Sequence, residues 1–538
     1  MAQATRTRIG GHVVVESLQA LGAEVAFGLP GIHALATWDA LRESGVRYLG
    51  ARTELNAAFA ADGYARAGGR PAPVLLSTGP GALNSLTAIM EASSAHVPVV
   101  AIASQIPSDL IGRGRGFLHE LRDQAASFAP LVKWAARAGS AAEIPELLTE
   151  AWRHAQTPPG GPVFLEIPVD VLKGEADVPP VEALDAGPEP ASPPDLTDAL
   201  GLLARAERPV IWAGGGVLRS GAWEEVRALA ERLGAAVATT YMGKGAFPED
   251  HPLSLGSAAD EAAFQEAVGG ADVLLCVGTE LGAETTGQYS LRPQGRIVQI
   301  DAAPERIGAT YEALGLLGDA KAVLEALLAE LPAREASAEG ERLARETRAR
   351  IEQGLDGQGR ELERGLLATI REAVPRETPI GWDMTILAYW AGAFFPALEP
   401  RRFLYPLGSG TLGYAWPAAL GAAAATGGPT LAVAGDGGFL YGIAELASAR
   451  QNGLDAKLLL VDDGGYGILR EYQRAEFGET FGVDLVRPDF PAVAEAFVVP
   501  HRVTTPDDLG ADLAWALGTE GPAAVILQTR LEMWAPTR

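Results

Sequence analysis

Two stretches decide the fold: Leu431-Ala432-Val433-Ala434-Gly435-Asp436-Gly437-Gly438-Phe439 and Leu458-Leu459-Leu460-Val461-Asp462-Asp463-Gly464-Gly465-Tyr466-Gly467. Each is a short apolar run that ends in acid and glycine. Runs of this kind fit strands buried on both faces. Between them, Ala444-Glu445-Leu446-Ala447-Ser448-Ala449 has helical character. Strand, helix, strand is the unit of a parallel sheet. Ligands bind such sheets beyond the carboxyl ends of the strands. Glycine lets backbone N–H groups approach phosphate oxygens closely. Hard carboxylate oxygens suit Mg²⁺, which bridges to a diphosphate. A single Gly-Asp-Gly is an ordinary turn. A second acidic, glycine-rich turn one unit later makes a metal–diphosphate edge the better reading.

The alternation of short apolar runs and helical stretches extends over the rest of the chain. The block at 355–538 ends in the run Ala523-Ala524-Val525-Ile526-Leu527. The block at 197–335 contains Val210-Ile211-Trp212-Ala213, Val273-Leu274-Leu275 and Arg296-Ile297-Val298-Gln299-Ile300-Asp301. Its triple glycine, Gly214-Gly215-Gly216, lacks a full dinucleotide fingerprint, because Arg219 stands where a small residue is needed. A tight strand–helix turn without nucleotide is the expectation. The block at 1–175 has the runs Val74-Leu75-Leu76, Pro98-Val99-Val100-Ala101-Ile102 and Val163-Phe164-Leu165-Glu166-Ile167. Residues 174–197 are rich in proline and acid and read as a solvated linker. Residues 334–365 are charged and helical, a second connection. The first and last blocks match in length and class, which hints at an old duplication.

A formal net charge of −25 disfavours nucleic acid and anionic membranes as partners. The single cysteine, Cys276, lies in an apolar run and reads as a buried hydrophobe in a reducing compartment. The N-terminus does not read as a cleaved signal. The Ala-rich segment 415–426 is too short to span a bilayer. A cytoplasmic protein is expected.

In the first block, Glu54 follows Arg52-Thr53 and precedes Ala61-Asp62-Gly63-Tyr64-Ala65-Arg66, and Ser77-Thr78-Gly79-Pro80-Gly81-Ala82-Leu83-Asn84 comes next. In the last block, Asp463 lies 27 residues after Asp436. With these motifs in this order, the sequence resembles the thiamine-diphosphate-dependent family of acetolactate synthases, pyruvate and benzoylformate decarboxylases and related carboligases. The resemblance covers nearly the whole chain. It implies an α/β fold of three doubly wound parallel-sheet domains: pyrimidine-binding, central Rossmann-like and diphosphate-binding.

The resemblance implies Asp436 and Asp463 as side-chain ligands of Mg²⁺, with the Gly465 carbonyl as a third. It implies Glu54 as the carboxyl that exchanges a proton with the cofactor's aminopyrimidine. It implies Gly410 and Leu412, within Gly408-Ser409-Gly410-Thr411-Leu412-Gly413, as the shelf under a bent cofactor. The remaining cofactor-binding set is Gly79, Asn84, Thr385, Gly435, Gly437, Gly438, Tyr466, Gly467 and Ile468. His33 and His119 are candidates at the substrate, although a single histidine often serves only packing. The sequence departs from the family at Asp462-Asp463, where two asparagines are usual. Pyruvate decarboxylases carry a glutamate at the place of Leu469.

The activity implied is cleavage or formation of the carbon–carbon bond next to the carbonyl of a 2-oxo acid. The product is an aldehyde, or a ligated product when an acceptor carbonyl compound is present. The Gly114-Arg115-Gly116-Phe117-Leu118-His119-Glu120 stretch resembles guanidino-oxo-acid decarboxylases. The overall organisation resembles acetolactate synthase. Gly278-Thr279-Glu280-Leu281-Gly282 stands where FAD-binding synthases have another sequence, so no FAD is expected. In the family one cofactor is served from two subunits, which implies a homodimer at least and commonly a homotetramer. A binding or regulatory subunit without catalysis is the alternative of another class, and Asp462-Asp463 is its main support.

Overall fold

The structure is a computed structural model and describes residues 7–187, 194–333 and 337–537. Residues 188–193 of the expected linker and 334–336 of the second connection lie outside the described residues, as does the start of the N-terminal segment.

The first sheet contains β1 (Val25–Gly28), β2 (Arg47–Gly50), β3 (Ala72–Leu76), β4 (Val99–Gln105), β5 (Ala135–Arg137) and β6 (Val163–Pro168). Its order is β2-β1-β3-β4-β6-β5, with every pairing parallel. The second contains β7 (Pro209–Ala213), β8 (Ala236–Thr239), β9 (Ser254–Gly256), β10 (Val273–Val277), β11 (Arg296–Asp301) and β12 (Leu314–Leu317). Its order is β12-β11-β10-β7-β8-β9. The third contains β13 (Ile380–Trp382), β14 (Phe403–Leu404), β15 (Thr430–Gly435), β16 (Ala456–Asp462), β17 (His501–Thr504) and β18 (Ala523–Gln528). Its order is β14-β13-β15-β16-β18-β17. The first and third sheets thus share one strand order, as the matching blocks hinted. The second has the order of a dinucleotide-binding fold.

In the first and third sheets the winding reverses between the first strand and the third. This is the topological switch point, where doubly wound sheets bind ligands. It lies between β1 and β3 in one sheet and between β13 and β15 in the other. Gly28 to His33 and Ser77 to Gly79 follow the first pair. Asp383 to Thr385 and Asp436 follow the second.

The chain forms two compact units. One is Met1–Glu189 with Gly408–Gly428 and Gly442–Ala456, and the other is Pro190–Leu407 with Pro429–Tyr441 and Lys457–Arg538. In the first unit the helix Glu54–Gly68 packs against the helix Ala415–Thr426 through small residues. A Cβ on Gly421 would meet the Ala60 carbonyl, and one on Gly63 would lie 2.1 Å from the Ala418 carbonyl. Only glycine allows this backbone approach, which fixes the helix that begins at Glu54. In the second unit, one apolar core runs from Trp212 and Phe264 to Trp382, Trp390 and Val433.

The triple glycine forms a tight turn between β7 and the helix Gly215–Ser220. A Cβ on Gly214 would lie 2.3 Å from the Gly278 carbonyl. Cys276 is buried in β10. Among the described residues no helix is long and apolar enough to cross a membrane.

Candidate active site

The first unit gathers the residues expected at the pyrimidine and substrate ends. Thr53 caps the helix Glu54–Gly68 by accepting a hydrogen bond from the Asn56 N–H, so Glu54 opens the first turn. Glu54 is 7% exposed. Asn84 Nδ2 donates to its Oε2 at 3.2 Å. A Cβ on Gly81 would lie 2.9 Å from Glu54 Oε1 and 3.1 Å from Ser77 Cβ. The turn after β3 therefore lies against the glutamate.

His33 and His119 meet edge to face, ring centroids 5.3 Å apart. Nδ1 of each lacks a hydrogen-bond partner among the described residues, as does Ser77 Oγ. His33 is buried, and burial, with His119 next, holds its pKa below the ordinary range. His119 has φ +67°, in the left-handed region that costs a non-glycine residue. Its loop is tied by Glu120, whose carboxylate accepts from the Arg115, Gly116 and Phe117 N–H groups. Gly79, φ +63°, donates its N–H to Gln124 Oε1 at 2.7 Å, and a Cβ there would lie 2.5 Å from the His119 carbonyl. Gly410 and Leu412 lie in the same unit. Their loop is anchored at Glu91, whose Oε2 accepts from Ser409 N at 2.7 Å and Ser409 Oγ at 2.9 Å.

The second unit gathers the residues expected at the diphosphate end. Asp436 follows β15, is 2% exposed, and has Oδ1 unpartnered among the described residues. Burial first, then the Asp463 and Asp462 charges, raise its pKa to about 6. Asp463, at the end of the adjacent strand β16, accepts from Gly465 N at 3.1 Å. Burial raises its pKa as well, against the opposing pull of Arg470. The glycines are sterically required. A Cβ on Gly467 would lie 2.1 Å from Asp463 Oδ2, one on Gly437 2.8 Å from the Tyr466 ring, and one on Gly438 2.8 Å from Asp383 Oδ1. Thr385 holds the N-cap position of the helix Ile386–Phe394, with no side-chain capping bond, and lies beside Gly435. Ile468 is buried on the helix Gly467–Phe477, whereas Leu469 is 46% exposed. The buried Asp436, with one unpartnered oxygen, and the half-buried Asp463 form a donor set that fits a divalent cation. Among the described residues no three His, Cys, Asp or Glu side chains form a group that could hold a metal ion by themselves. A cation here would therefore also need backbone oxygen, phosphate or water.

Several residues within the two units escape a reading of the sequence. Ser77 is one. Glu91 and Gln124 are others, since each acts through a backbone group distant in sequence. Arg470 and Arg487 complete the set. The excess of Asp over Asn at 462 and 463 was the one available signal that nearby cations should exist.

Residues 8–127 match the N-terminal TPP-binding domain of thiamine pyrophosphate enzymes. Residues 196–327 match the central domain, and residues 383–527 match the C-terminal TPP-binding domain. The chain belongs to the thiamine pyrophosphate enzyme family. Thiamine pyrophosphate is thiamine diphosphate under another name. This enzyme is similar to a probable 2-ketoarginine decarboxylase of Pseudomonas aeruginosa, with 36% identity over 98% of this chain and 95% of the relative. It is also similar to a probable acetolactate synthase large subunit of Methanocaldococcus jannaschii, with 34% identity over 95% of this chain and 90% of the relative. Its fold is that of the Rhodococcus jostii thiamine diphosphate-dependent 4-hydroxybenzoylformate decarboxylase, with TM-score 0.84, 24% identity, and 98% and 100% of the two chains covered.

Proposed function

We propose that this thiamine diphosphate enzyme decarboxylates a 2-oxo acid without oxidation, giving CO₂ and an aldehyde. The observation that carries the reading is the pair of contacting histidines with unpartnered ring nitrogens, in the same unit as the buried Glu54 carboxyl. A carbon that has lost CO₂ needs a proton before it leaves as an aldehyde. Histidine is the side chain that exchanges protons near neutral pH.

Thiamine diphosphate, when bound, supplies a sink for the electron pair released with CO₂. Glu54, Gly79 and Asn84 would hold its pyrimidine end, and Gly410 and Leu412 would support it. Thr385, Gly435, Gly437, Gly438, Tyr466, Gly467 and Ile468 would surround the diphosphate. Asp436, Asp463 and the Gly465 carbonyl would ligate Mg²⁺. Glu54 would exchange a proton with the aminopyrimidine, while His33 and His119 would orient the substrate and deliver the product's proton. No FAD takes part in this reading. We place the enzyme in the cytoplasm as a homodimer at least and a homotetramer in full, with domains at 1–175, 197–335 and 355–538.

Carboligation to a second carbonyl compound is the other reading. It is favoured by the acetolactate synthase relative and by the hydrophobic Leu469, where pyruvate decarboxylases carry an acid. The test is a panel of 2-oxo acids with Mg²⁺ and thiamine diphosphate, headed by 2-ketoarginine, which the first relative's name supplies. CO₂ with equimolar aldehyde is the expected result. CO₂ with only a 2-hydroxy ketone or acetohydroxy acid would make the enzyme a carboligase. No CO₂ from any member would overturn both readings.

A further inference from the structure

Asp462 and Asp463 bring two negative charges to a place where the family usually has none. The structure supplies a guanidinium to each. Arg487 Nε lies 3.2 Å from Asp462 Oδ1, and Arg470 Nη1 lies 3.6 Å from Asp463 Oδ2. Asp462 is fully buried and Arg470 is 4% exposed, so solvent screens neither pair completely. The next two residues make the room. A Cβ on Gly464 would lie 2.8 Å from Arg487 Nε, and one on Gly465 would lie 2.9 Å from Arg470 Nη2. The Asp-Asp-Gly-Gly turn and the two arginines therefore interlock: each acid has its cation, the Arg487 guanidinium fills the space beside Gly464, and Arg470 with the Val483 carbonyl fills the space beside Gly465. Arg470 has a second anchor, Asp484 at 3.0 Å. Asp484 is in turn bridged to Gly465 through the backbone.

We propose that Arg470 and Arg487 are positioning residues that neutralise Asp463 and Asp462, so that this turn offers the metal–diphosphate end of the cofactor the net charge of the usual asparagine pair. The inference rests on the thiamine diphosphate reading of the site. Within the turn, two acids and two arginines sum to zero, as two asparagines do; Asp484, the third acid on Arg470, lies outside the turn with its side chain 64% exposed, where solvent screens it. The oxygens stay available to a cation, while the excess repulsion toward a diphosphate is removed. The acidic pair then no longer argues for a protein without catalysis.

The test is a double-mutant cycle on the apoprotein and on cofactor binding. Arg470→Gln leaves the half-buried Asp463 beside Asp436 without its cation. The apo Tm should fall by at least about 4 °C, since one half of a largely buried ion pair is stranded. Thiamine diphosphate affinity at saturating Mg²⁺, read by quenching of protein fluorescence, should fall about tenfold or more. Asp463→Asn alone removes a proposed metal ligand's charge and should lower the affinity, but by less than Arg470→Gln does, because its amide oxygen can still ligate and Arg470 keeps Asp484. The double variant should match Asp463→Asn in both Tm and affinity, above Arg470→Gln, and Arg470→Lys, which keeps the charge, should stay close to the parent. Additive losses, or an Arg470→Gln variant equal to the parent, would overturn the proposal. If Arg470→Gln does not fold, Arg487→Gln with Asp462→Asn runs the same cycle on a half-exposed arginine. If the parent itself binds no thiamine diphosphate, the cofactor reading has failed, and the apo Tm cycle still decides the pairing.

Discussion

At the first turn of a helix a carboxylate is ordinarily solvated and favoured by the helix dipole. Glu54 has the position but not the solvent, with 7% exposure and an amide from Asn84 on one oxygen. A fold with no use for that carboxyl would gain by exposing it. Glu54→Gln keeps the shape and the hydrogen bond and removes the exchangeable proton. Turnover should fall by a factor of about 10² to 10⁴, with the apo Tm nearly unchanged. Full activity in this variant would end the proton-exchange role. His33 makes a pH argument. Its folded pKa lies below the unfolded value because the ring is buried beside His119 and Lys173. The unfolded chain therefore binds its proton more readily. Stability from the neutral ring is present above the unfolded value, about pH 6.5, and is lost as pH falls below it. The apparent Tm of the parent should drop more between neutral and mildly acid pH than that of His33→Gln. Equal pH slopes would refute this contribution.

Turns and strand ends carry the site, and they differ in how readable they are. Gly79 illustrates the constraint: its φ is +63°, and a Cβ would lie 2.5 Å from the His119 carbonyl. Gly79→Ala should cost about 1–3 kcal/mol in stability and shift the histidine loop. A denaturant titration with kcat measured on the folded fraction should therefore show both losses. An alanine variant with parental stability would mean the loop is softer than its contacts indicate. Long apolar strands such as β4, β6, β10 and β16 could be read from composition, because burial on both faces demands it. The two-residue β14 and the half-exposed β17, with its His and Arg, could not, since sheet neighbours and not their own residues make them strands. Asp436 and Asp463 stand out because each follows an apolar strand run and opens a glycine-rich turn, whereas Glu54 stands out only through the family resemblance, since an acid at a helix start is otherwise ordinary. Arg487 could not be read from the sequence. It lies 25 residues after Asp462, and only the folded loop brings it to the acid. The same holds for Glu91, whose contact with Ser409 is set by packing of distant segments.

For the whole molecule, the strand orders supply the physical logic of the design. The first and third sheets each have a switch point, each in a different compact unit, and each carries one of the two residue sets that the cofactor reading requires. If, as the resemblance implies, one cofactor is served from two subunits, the two sets are separable by mutation. Glu54→Gln would inactivate every site in a homo-oligomer, and so would Asp436→Ala. When the two variants are denatured together, refolded and allowed to assemble, mixed pairs bring the intact Glu54 of one subunit to the intact Asp436 of the other. The second site of such a pair carries both lesions. With random pairing, half of the assemblies are mixed and half of their sites are whole, so roughly a quarter of parental activity should return. Each variant refolded alone should stay inactive, and the mixed sample should elute as a dimer or larger. If mixing restores nothing while the parent refolds to full activity, both residue sets act within one chain, and the shared-cofactor assembly is wrong. Restoration would place Glu54 and Asp436 on one cofactor from different subunits, and a monomer could then never be the active species.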